Sequence, residues 1–495
     1  MKACQPSRRE PLVFELSRPG KAGYSLPTAE IPDVDGEIED ELLRDEMPGL
    51  PELSEVEVLR HFTRLSHLNY CIDDGLLPLG SCTMKHNPRV NELVARLPGF
   101  AAVHPLQSAA TSQGALEVCE GLERHLVAIT GMDAFTLQPS AGAHGEFTGM
   151  MLIRALLDAR GDERCCVLIP DSAHGTNPAS SVFCGFVPET IPSGSDGRID
   201  LELLRERVAK GDVAAIMLTN PNTLGIFESG IAEICAAVHE YGGLVYGDGA
   251  NMNAMLGLTR PGDQGIDVIH LNLHKTFGTP HGGGGPGSGP VGVRGELVDF
   301  LPVPRVVREG DTLRLSDAFP RSIGRVGAFQ GNFGMLVRTL AYIREYGADG
   351  LRRVAEDAVL NANYLRSELS GTLDLPYDTP TMHEVVFSDR SLEKETGVTT
   401  MDLAKRLIDF GFHPPTVYFP LVVHGALMIE PTETESREEL DIFVAAIREI
   451  CREARETPDV VKQAPWTAPR RRLDEVRANR KLILRWEEST DRSCC

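Results

Sequence analysis

The length of 495 residues predicts a large core domain with at least one smaller domain beside it. Apolar residues make up 42% of the chain and charged residues 24%, which is typical of a globular protein. A formal net charge of −22 disfavours nucleic acid and anionic membrane surfaces as partners.

The cysteines and the hydropathy pattern indicate the compartment. The eleven cysteines are scattered and none forms a C-x-x-C spacing, so a disulfide framework and a zinc ribbon are both disfavoured and no metal is expected. The N-terminus lacks the apolar segment of a signal peptide, and the longest nearly apolar stretch, residues 419–430, is too short to span a bilayer. We therefore predict a cytoplasmic protein.

The pattern along the chain predicts an arm followed by an α/β domain. Roughly the first hundred residues are rich in proline, glycine and acidic residues, with a helix at 54–68, and indicate an arm that wraps a larger body. Short apolar runs then alternate with amphipathic helices, which favours a mostly parallel sheet with ligands at the carboxyl ends of its strands. We predict strands at 166–170, 214–220, 244–248, 268–272 and 290–293, and helices at 201–210 and 228–241.

The remainder of the chain predicts a second, smaller α+β domain. After about residue 345 a long helix leads into a strand at 384–388, a helix at 400–410, a strand at 427–431 and a helix at 437–451. The tail from residue 468 is basic and is expected to dock on an acidic surface. The predicted division is an arm at 1–110, a large domain at 111–345, a small domain at 346–465 and a tail at 466–495.

Two ionisable residues follow buried strands of the predicted sheet. Lys275 ends the run that contains the strand at 268–272, and Asp248 ends the strand at 244–248. Neighbouring parallel strands bring such side chains to one crevice, where the carboxylate can keep the pyridine nitrogen of pyridoxal phosphate protonated and the lysine can carry that cofactor as a Schiff base. A solvated surface lysine and an Asp248 helix cap are the alternatives.

Two further motifs fit an anionic aromatic ligand. The turn at 140–146 opens an apolar helix at 147–157, and a helix N-terminus attracts phosphate. His174 follows a strand and is flanked by Ala173 and Gly175, which leaves room for its ring to stack on a cofactor. An ordinary helix start and a loop histidine bonded to backbone remain the alternatives.

The glycine-rich run at 281–290 allows close approach to a phosphate and equally fits a flexible linker. Its G-x-G-x-x-G spacing precedes a strand, so it fails the context of a dinucleotide site. The HGGG stretch resembles an esterase oxyanion loop, but no G-x-S-x-G elbow occurs in the chain to supply a nucleophile.

Taken together, the motifs resemble those of the glycine-cleavage P-protein family, glycine dehydrogenase (decarboxylating), and in particular the second subunit of its two-chain bacterial form. The matching stretches span nearly the whole chain: LPLGSCTMKHNP (77–88), PSAGAHGE, DSAHGTNPAS, DGANMNA, NLHKTFGTPHGGGGPG and HPPTVYFPLVVHGALMIEPTETES (413–436). Gly425 departs from the pattern, because a larger residue is expected there, and the departure concerns local packing.

The resemblance implies the aspartate-aminotransferase fold (PLP-dependent fold type I), with a mostly parallel seven-stranded sheet and a small C-terminal α+β domain. It also implies the cofactor contacts. By this similarity Lys275 carries the cofactor, Asp248 pairs with its ring nitrogen, His174 and Ala250 lie on the two ring faces, and the phosphate is bound by Ala141, Gly142 and Ala143, with Thr176 as a further contact. The stretch from Asn272 to Lys275 is also similar to the N-x-H-K of group II amino-acid decarboxylases, which implies that Asn272 contacts the phosphate.

The resemblance further implies glycine as substrate and a lipoylated carrier, H-protein, as acceptor of the aminomethyl group. A homologous first subunit, as an α2β2 assembly, is the expected partner. The segment 77–88 is the candidate wall of a lipoyl channel, with Ser81, Cys82, Thr83 and His86 as contacts, and a buried structural loop is the alternative. His274 either assists proton transfer or makes a structural hydrogen bond.

Two other functions remain open at this stage. A different fold type I amino-acid decarboxylase would protonate its carbanion instead of passing it to a disulfide. A non-catalytic partner subunit is disfavoured, because Lys275 and Asp248 are both present.

Overall fold

The computed structural model describes residues 10–25, 27, 39–46, 48–282 and 287–486. They form two compact units, one from the described residues of 10–74 and 464–486 and the other from the described residues of 75–463. Within these ranges no helix combines the length and apolar character needed to cross a membrane. Residues 283–286, at the centre of the glycine-rich run, lie outside the described residues, and so do 1–9 and 487–495 at the chain ends.

The helices, in chain order, are α1 (Val13–Leu16), α2 (Glu55–Ser66), α3 (Arg89–Ala95), α4 (Pro98–Ala101), α5 (Gln113–Thr130), α6 (Gly142–Ala159), α7 (Thr176–Phe183), α8 (Leu201–Val208), α9 (Ile231–Glu240), α10 (Pro261–Gln264), α11 (Leu273–Thr276), α12 (Phe333–Leu369), α13 (Arg390–Thr396), α14 (Thr400–Asp409), α15 (Arg437–Glu456), α16 (Pro458–Lys462) and α17 (Glu475–Arg480). The strands are β1 (Ala134–Thr136), β2 (Cys166–Pro170), β3 (Val187–Ile191), β4 (Val213–Thr219), β5 (Leu244–Gly249), β6 (Val268–Leu271), β7 (Val291–Val293), β8 (Arg305–Glu309), β9 (Thr312–Ser316), β10 (Val385–Ser388), β11 (Thr416–Val417) and β12 (Ala426–Ile429).

The smaller unit contains α1, α2 and α17. Ser54 begins α2 as a capping box, in which its hydroxyl accepts from Glu57 N while the Glu57 carboxylate accepts from Ser54 N. The Phe14 and Trp486 rings stack with their centroids 4.8 Å apart. The helix predicted at 54–68 is therefore confirmed.

The larger unit is built on a seven-stranded sheet in the order β1-β7-β6-β5-β4-β2-β3. Neighbours from β6 to β3 pair in parallel, whereas β7 runs antiparallel to both β6 and β1. Every residue of β4 is buried, as expected for a strand covered on both faces. The mostly parallel sheet is confirmed, and each strand predicted in this domain is present with boundaries shifted by no more than one residue.

Two strands that the sequence did not predict, β1 and β3, lie at the two edges of this sheet. β3 has the sequence VPETI, and most of its residues are exposed or half-buried. An edge strand pairs on one side only, so it tolerates a proline and needs no apolar run. The hydrophobic pattern consequently gave no signal for β3.

The long helix begins earlier than predicted. α12 starts at Phe333, and the break lies within it, at Gly347, where φ is 62° and ψ is −173°. Glycine adopts this backbone conformation without the steric cost that a Cβ would impose. The part of α12 that precedes Gly347 buries Leu336 and Tyr342, so tertiary packing stabilises it.

The second sheet, β10-β12-β11, is antiparallel and packs with α12, α14 and α15 in a separate hydrophobic core. The predicted order of helices and strands after α12 is confirmed. Residues 78–80 join this sheet, since Leu79 bridges Ile429 and Thr416 Oγ1 donates to the Gly80 carbonyl oxygen. The four-part division of the chain remains a prediction.

Gly425 precedes β12 with φ +54°. A Cβ at this position would overlap the carboxylate of Asp389, which is itself buried. The larger residue expected from the resemblance therefore does not fit here, and the departure is a matter of local packing.

Candidate functional site

A cavity of about 420 Å³ opens where β4, β5 and β6 end. Most of the residues predicted to form the site line it: Ser81, Cys82, Gly142, Ala143, His174, Thr176, Asp248, Ala250, Asn272, His274 and Lys275. Six lining residues were not singled out as site residues from the sequence: Glu146, Thr219, Thr223, Asn251, His270 and His281. The carboxyl ends of parallel strands thus converge on one crevice, as the fold class requires.

Lys275 and Asp248 face the same cavity. β5 and β6 are adjacent and parallel, and their register places Asp248 beside His270. Asp248 Oδ1 accepts a hydrogen bond from Ala250 N at 2.9 Å, but the short 3-10 helix that follows begins after Asn251 and has no side-chain cap, so Asp248 is not a helix cap; its carboxylate lines the cavity. Lys275 lies in α11, and its Nζ donates to the carbonyl oxygen of Ser81 at 2.8 Å. The amine and the carboxylate can therefore contact a single ligand.

A buried histidine supports Asp248 from behind. His270 Nε2 lies 3.1 Å from Asn272 Oδ1 and 3.4 Å from Asp248 Oδ1. Because both oxygens are acceptors, Nε2 carries the hydrogen, and Nδ1 accepts from the Tyr246 hydroxyl at 2.7 Å. Burial lowers the pKa of His270, which favours this neutral form.

The N-terminus of α6 forms the third wall. Ala141 is the residue that precedes the helix, and Gly142 and Ala143 line the cavity, whereas Ala141 does not. First-turn N–H groups have no acceptor within their own helix, and the helix dipole adds positive potential, so this end favours an anion. A Cβ at Gly142 would overlap the side-chain amide of Asn272, so glycine is required for this close approach.

Three hydrogen-bonded residues also line the cavity. Thr176 Oγ1 donates to Glu146 Oε1 at 3.0 Å and lies 2.9 Å from His174 Nδ1. Burial, followed by the charge of Asp248, raises the pKa of Glu146 to about 8. Glu146 is therefore largely protonated near neutral pH and adds little negative charge to the cavity.

His274 is held as a neutral ring next to Lys275. Its Nδ1 accepts from Ser288 N at 3.3 Å, and burial, followed by the charges of His281 and Lys275, lowers its pKa to about 3. The ring lies edge to face with His281, their centroids 5.1 Å apart. A role in proton transfer and a structural role for His274 both remain predictions.

Only part of the LGSCTMKHNP segment lines the cavity. Ser81 and Cys82 line the cavity, with Cys82 Sγ 3.5 Å from His281 Nε2. Thr83 is buried and donates to Glu430 Oε1 at 2.5 Å, and His86 is exposed, so neither lies at the cavity wall. Among the four predicted channel contacts, only Ser81 and Cys82 are therefore placed where they could meet a ligand.

A buried ion pair anchors this segment. Lys85 Nζ lies 2.5 Å from Glu433 Oε1 and donates to Asn253 Oδ1 at 2.6 Å and to the Thr276 carbonyl oxygen at 2.9 Å. Burial lowers the pKa of Lys85, and the Glu433 charge opposes that shift. Lys85, the second lysine near the site, therefore holds Thr276, the residue that follows Lys275. These contacts fully engage the Lys85 amine.

We expect Lys85→Met to lower the free energy of unfolding by about 3 kcal/mol, because Glu433 would be left as an uncompensated buried charge. Urea denaturation followed by circular dichroism measures the change. The double variant Lys85→Met/Glu433→Leu should recover part of the loss, since both charges are then absent. Equal stability of Lys85→Met and the unsubstituted protein would contradict the buried pair.

Three buried ionisable residues near Lys275 were not predicted: His383, Glu384 and Glu430, all fully buried. Glu384 precedes β10 and Glu430 follows β12, so each carboxyl group terminates an apolar run. A charged residue at the end of an apolar strand was the signal used for Asp248. Glu430 follows an apolar strand in the same way, within the 413–436 motif, so the same pattern indicates it as a candidate site residue.

The residue set fits pyridoxal phosphate. It provides an amine at Lys275, a buried carboxylate at Asp248 and a helix N-terminus beside Gly142, where a Cβ would fill the space. The hydroxyl of Thr219 and the second carboxyl oxygen of Glu146 are buried, belong to residues that line the cavity, and have no hydrogen-bond partner among the described residues. A polar, anionic ligand would supply such partners.

Comparison with solved structures supports the fold. A glycine decarboxylase (P-protein) of the glycine cleavage system, in inhibitor-bound form, matches with a TM-score of 0.70 and 22% identity, covering 84% of this chain and 93% of that one. An Oryza sativa TDC with PLP and tryptamine matches with a TM-score of 0.61 and 15% identity, covering 86% of this chain and 92% of that one. The PLP-dependent fold type I expected from the sequence is confirmed.

Sequence relatives extend over nearly the whole chain. A family model described as "Glycine dehydrogenase, C-terminal domain" matches residues 354–467. The "Probable glycine dehydrogenase (decarboxylating) subunit 2" of Chlorobium chlorochromatii (strain CaD3) is 57% identical over 96% of this chain and 99% of its own length. The protein of the same name from Pyrococcus abyssi (strain GE5 / Orsay) is 56% identical over 97% and 96%. With identity at this level over almost the full length, the chain belongs to the family of glycine dehydrogenase (decarboxylating) subunit 2.

Proposed function

We propose that this chain is the catalytic half of a glycine decarboxylase: with pyridoxal phosphate it releases CO₂ from glycine and passes the remaining aminomethyl group to the lipoyl arm of a carrier protein, H-protein. The observation that carries the proposal is the shared cavity of Lys275 and Asp248. Family membership supports the substrate, because the relatives are named for decarboxylating glycine.

The chain's own residues divide the work of binding. Lys275 Nζ would hold the cofactor covalently, and Asp248 would accept a hydrogen bond from the ring nitrogen. His174 and Ala250 would contact the ring. Gly142 and Ala143 would offer N–H groups to the phosphate, with Asn272 and Thr176 as further contacts. Ala141, the residue before the helix, contributes through the turn that starts it.

When bound, pyridoxal phosphate supplies an electron sink that stabilises negative charge at Cα as CO₂ leaves. Asp248 keeps the ring nitrogen protonated, and the neutral His270 behind it adds no competing charge. The Ser81 carbonyl oxygen gives the Lys275 amine a hydrogen-bond acceptor whenever the amine is not attached to the cofactor.

Transfer to the carrier needs a disulfide within reach of the same cavity. A bond forms between Cα and one lipoyl sulfur as the S–S bond breaks, and the second sulfur leaves as a thiolate. Ser81 and Cys82 line the wall nearest the Lys275 amine, so we assign them as contacts of the incoming arm. Burial raises the pKa of the Cys82 thiol, so Cys82 stays protonated and does not compete for the disulfide.

The same proposal includes the partners and the compartment. The relatives are named subunit 2, which supports a homologous first subunit, and we propose an α2β2 assembly. The described cysteines are all free thiols, in agreement with a reducing cytoplasm. The proposed partners are the carrier and the first subunit. Neither nucleic acid nor a membrane is proposed as a partner.

Exchange of labelled CO₂ into the carboxyl group of glycine tests the function. The assay compares the chain alone with the chain plus lipoylated carrier, plus first subunit, and plus both. We expect rapid exchange only when both are added, because the chemistry needs the carrier's disulfide and the complete assembly.

Two outcomes would contradict the proposal. Exchange that is indifferent to both additions would remove the carrier from the reaction. Release of methylamine from glycine without any carrier would indicate a decarboxylase that protonates its carbanion.

A further inference from the structure

The Ser81 carbonyl oxygen that meets Lys275 belongs to a turn held from below by two glutamates. Ser81 N donates to Glu384 Oε2 at 2.6 Å, and Cys82 N donates to Glu430 Oε2 at 3.2 Å. Thr83 Oγ1 donates to the other oxygen of Glu430 at 2.5 Å. Each side chain of the pair therefore binds the 81–83 turn directly.

The turn needs such support because its backbone is strained. Ser81 has φ +58°, in the left-handed region where a residue with a Cβ is disfavoured. The strained peptide places the N–H of Ser81 toward Glu384 and its carbonyl oxygen toward Lys275. Without an acceptor for that N–H, the turn would relax and the carbonyl oxygen would turn away from the amine.

The two carboxyl groups are fully buried, and together with His383 their nearest oxygen and nitrogen atoms lie within 4.8 Å of one another. Burial, followed by the charge of Glu430, raises the pKa of Glu384 well above its ordinary value. Burial also raises the pKa of Glu430, to about 7. Neither ring nitrogen of His383 has a hydrogen-bond partner among the described residues, and burial lowers its pKa to about 3. Near neutral pH Glu384 is therefore protonated and Glu430 partly protonated, and both serve the turn as hydrogen-bond acceptors.

We propose that Glu384 and Glu430 are positioning residues of the Lys275 site, which act as hydrogen-bond acceptors that hold the 81–83 turn and so keep the Ser81 carbonyl oxygen on the amine. The inference rests on the proposed function in one respect, that Lys275 is the point of cofactor attachment. Neither glutamate lines the cavity; Glu384 acts through Ser81, and Glu430 acts through Cys82 and Thr83.

Two substitutions at Glu384 separate geometry from charge. Glu384→Gln is neutral but keeps an oxygen at the same reach, as a protonated carboxyl group does. Glu384→Asp keeps a carboxyl group but is one methylene too short to reach Ser81 N. The same pair of substitutions at Glu430 tests the contacts to Cys82 and Thr83.

The measurement is the rate at which pyridoxal phosphate attaches to the cofactor-free chain, followed by visible absorbance. We expect Glu384→Gln to stay within about threefold of the unsubstituted protein. We expect Glu384→Asp to attach the cofactor about tenfold to a hundredfold more slowly, the effect of leaving the Ser81 N–H without its acceptor. In the complete assembly, Glu384→Asp should lower kcat for CO₂ exchange, while KM for glycine changes little.

Glu228→Asp is the matched control. Glu228 is also buried, accepts from a backbone N–H, that of Ile199 at 3.1 Å, and has its pKa raised by burial to about 7, but it does not line the Lys275 cavity. This variant should lose stability without a change in attachment rate. A slower rate in Glu228→Asp would show that the assay reports general destabilisation, and the inference would fail.

The order of the two Glu384 variants decides the outcome. If Glu384→Asp attaches the cofactor faster than Glu384→Gln, the carboxyl group acts by charge, and the positioning role is wrong. If all variants match the unsubstituted protein, the turn needs no support and the inference is wrong. Borohydride reduction and peptide mapping separate these results from failure of the proposed function, which would place the adduct on a lysine other than Lys275 in the unsubstituted protein.

Discussion

Replacing Lys275 with alanine should abolish the borohydride-stable attachment of pyridoxal phosphate and lower the rate of CO₂ exchange by about a thousandfold or more. The amine is the group that can form and exchange the covalent bond, and Lys85, a buried lysine near the 81–83 turn, is engaged by Glu433 and the Thr276 carbonyl oxygen. Mass spectrometry of the reduced, digested protein measures the attachment, and the exchange assay measures the rate.

Lys275→Arg is the control for this prediction. It retains a positive charge beside the Ser81 carbonyl oxygen but has no nucleophilic amine. It should fold and bind the cofactor without covalent attachment, as Lys275→Ala should. An adduct on Lys85, or covalent attachment that persists in either variant, would contradict the assignment.

Replacing Asp248 with asparagine should lower kcat for CO₂ exchange by roughly a thousandfold. A carboxylate and a ring N–H⁺ at ~4 Å with an effective dielectric of 20 interact by ~4 kcal/mol, which corresponds to about three pKa units of the ring nitrogen. Asparagine removes that charge and leaves the nitrogen unprotonated, so the ring becomes a weaker sink for electrons. The exchange assay at saturating glycine measures the loss.

A cofactor analogue methylated on the ring nitrogen tests the reason for the loss. The methyl group gives the ring a permanent positive charge, so the analogue should restore part of the activity of Asp248→Asn while it does not help the unsubstituted protein. Stability should change little, because Asn keeps an oxygen that can accept from Ala250 N. An Asp248→Asn variant that exchanges CO₂ at the original rate would contradict the pairing.

The central pair of the site could be predicted because it obeys a local rule. Asp248 and Lys275 each follow a buried apolar strand, and adjacent parallel strands bring their carboxyl ends together. A helix after the run of small residues was predicted, but α6 begins at Gly142, inside the predicted turn at 140–146, and not at residue 147. The site therefore emerges from the order of strands and from what stands at their ends.

The residues that the sequence missed depend on contacts between distant parts of the chain. Glu384 reaches Ser81 across a separation of 303 residues, and Glu430 reaches Cys82 across 348. No periodicity connects such positions. His270 was hidden for another reason, because a histidine in an apolar strand resembles any other core residue until its neighbours Asp248 and Asn272 are placed.

Two elements of the fold were not predicted because the local sequence pattern was polar in one and interrupted in the other. β3 lies at a sheet edge with polar residues, and the first part of α12 was not recognised as continuous with the rest because Gly347 interrupts it. Both elements are stabilised by tertiary contacts instead of local propensity.

The segment from Leu79 to Asn87 links the Lys275 helix to the C-terminal sheet. On one side it binds Lys275, Thr276 and, through Asn87 Nδ2 at 2.8 Å, the Gly278 carbonyl oxygen. On the other side it is anchored by Glu384, which precedes β10, and by Glu430 and Glu433, which follow β12. Loss-of-function substitutions in this sheet can therefore act on the Lys275 amine through the 79–87 segment. A severe phenotype from such a substitution does not indicate that the substituted residue contacts glycine.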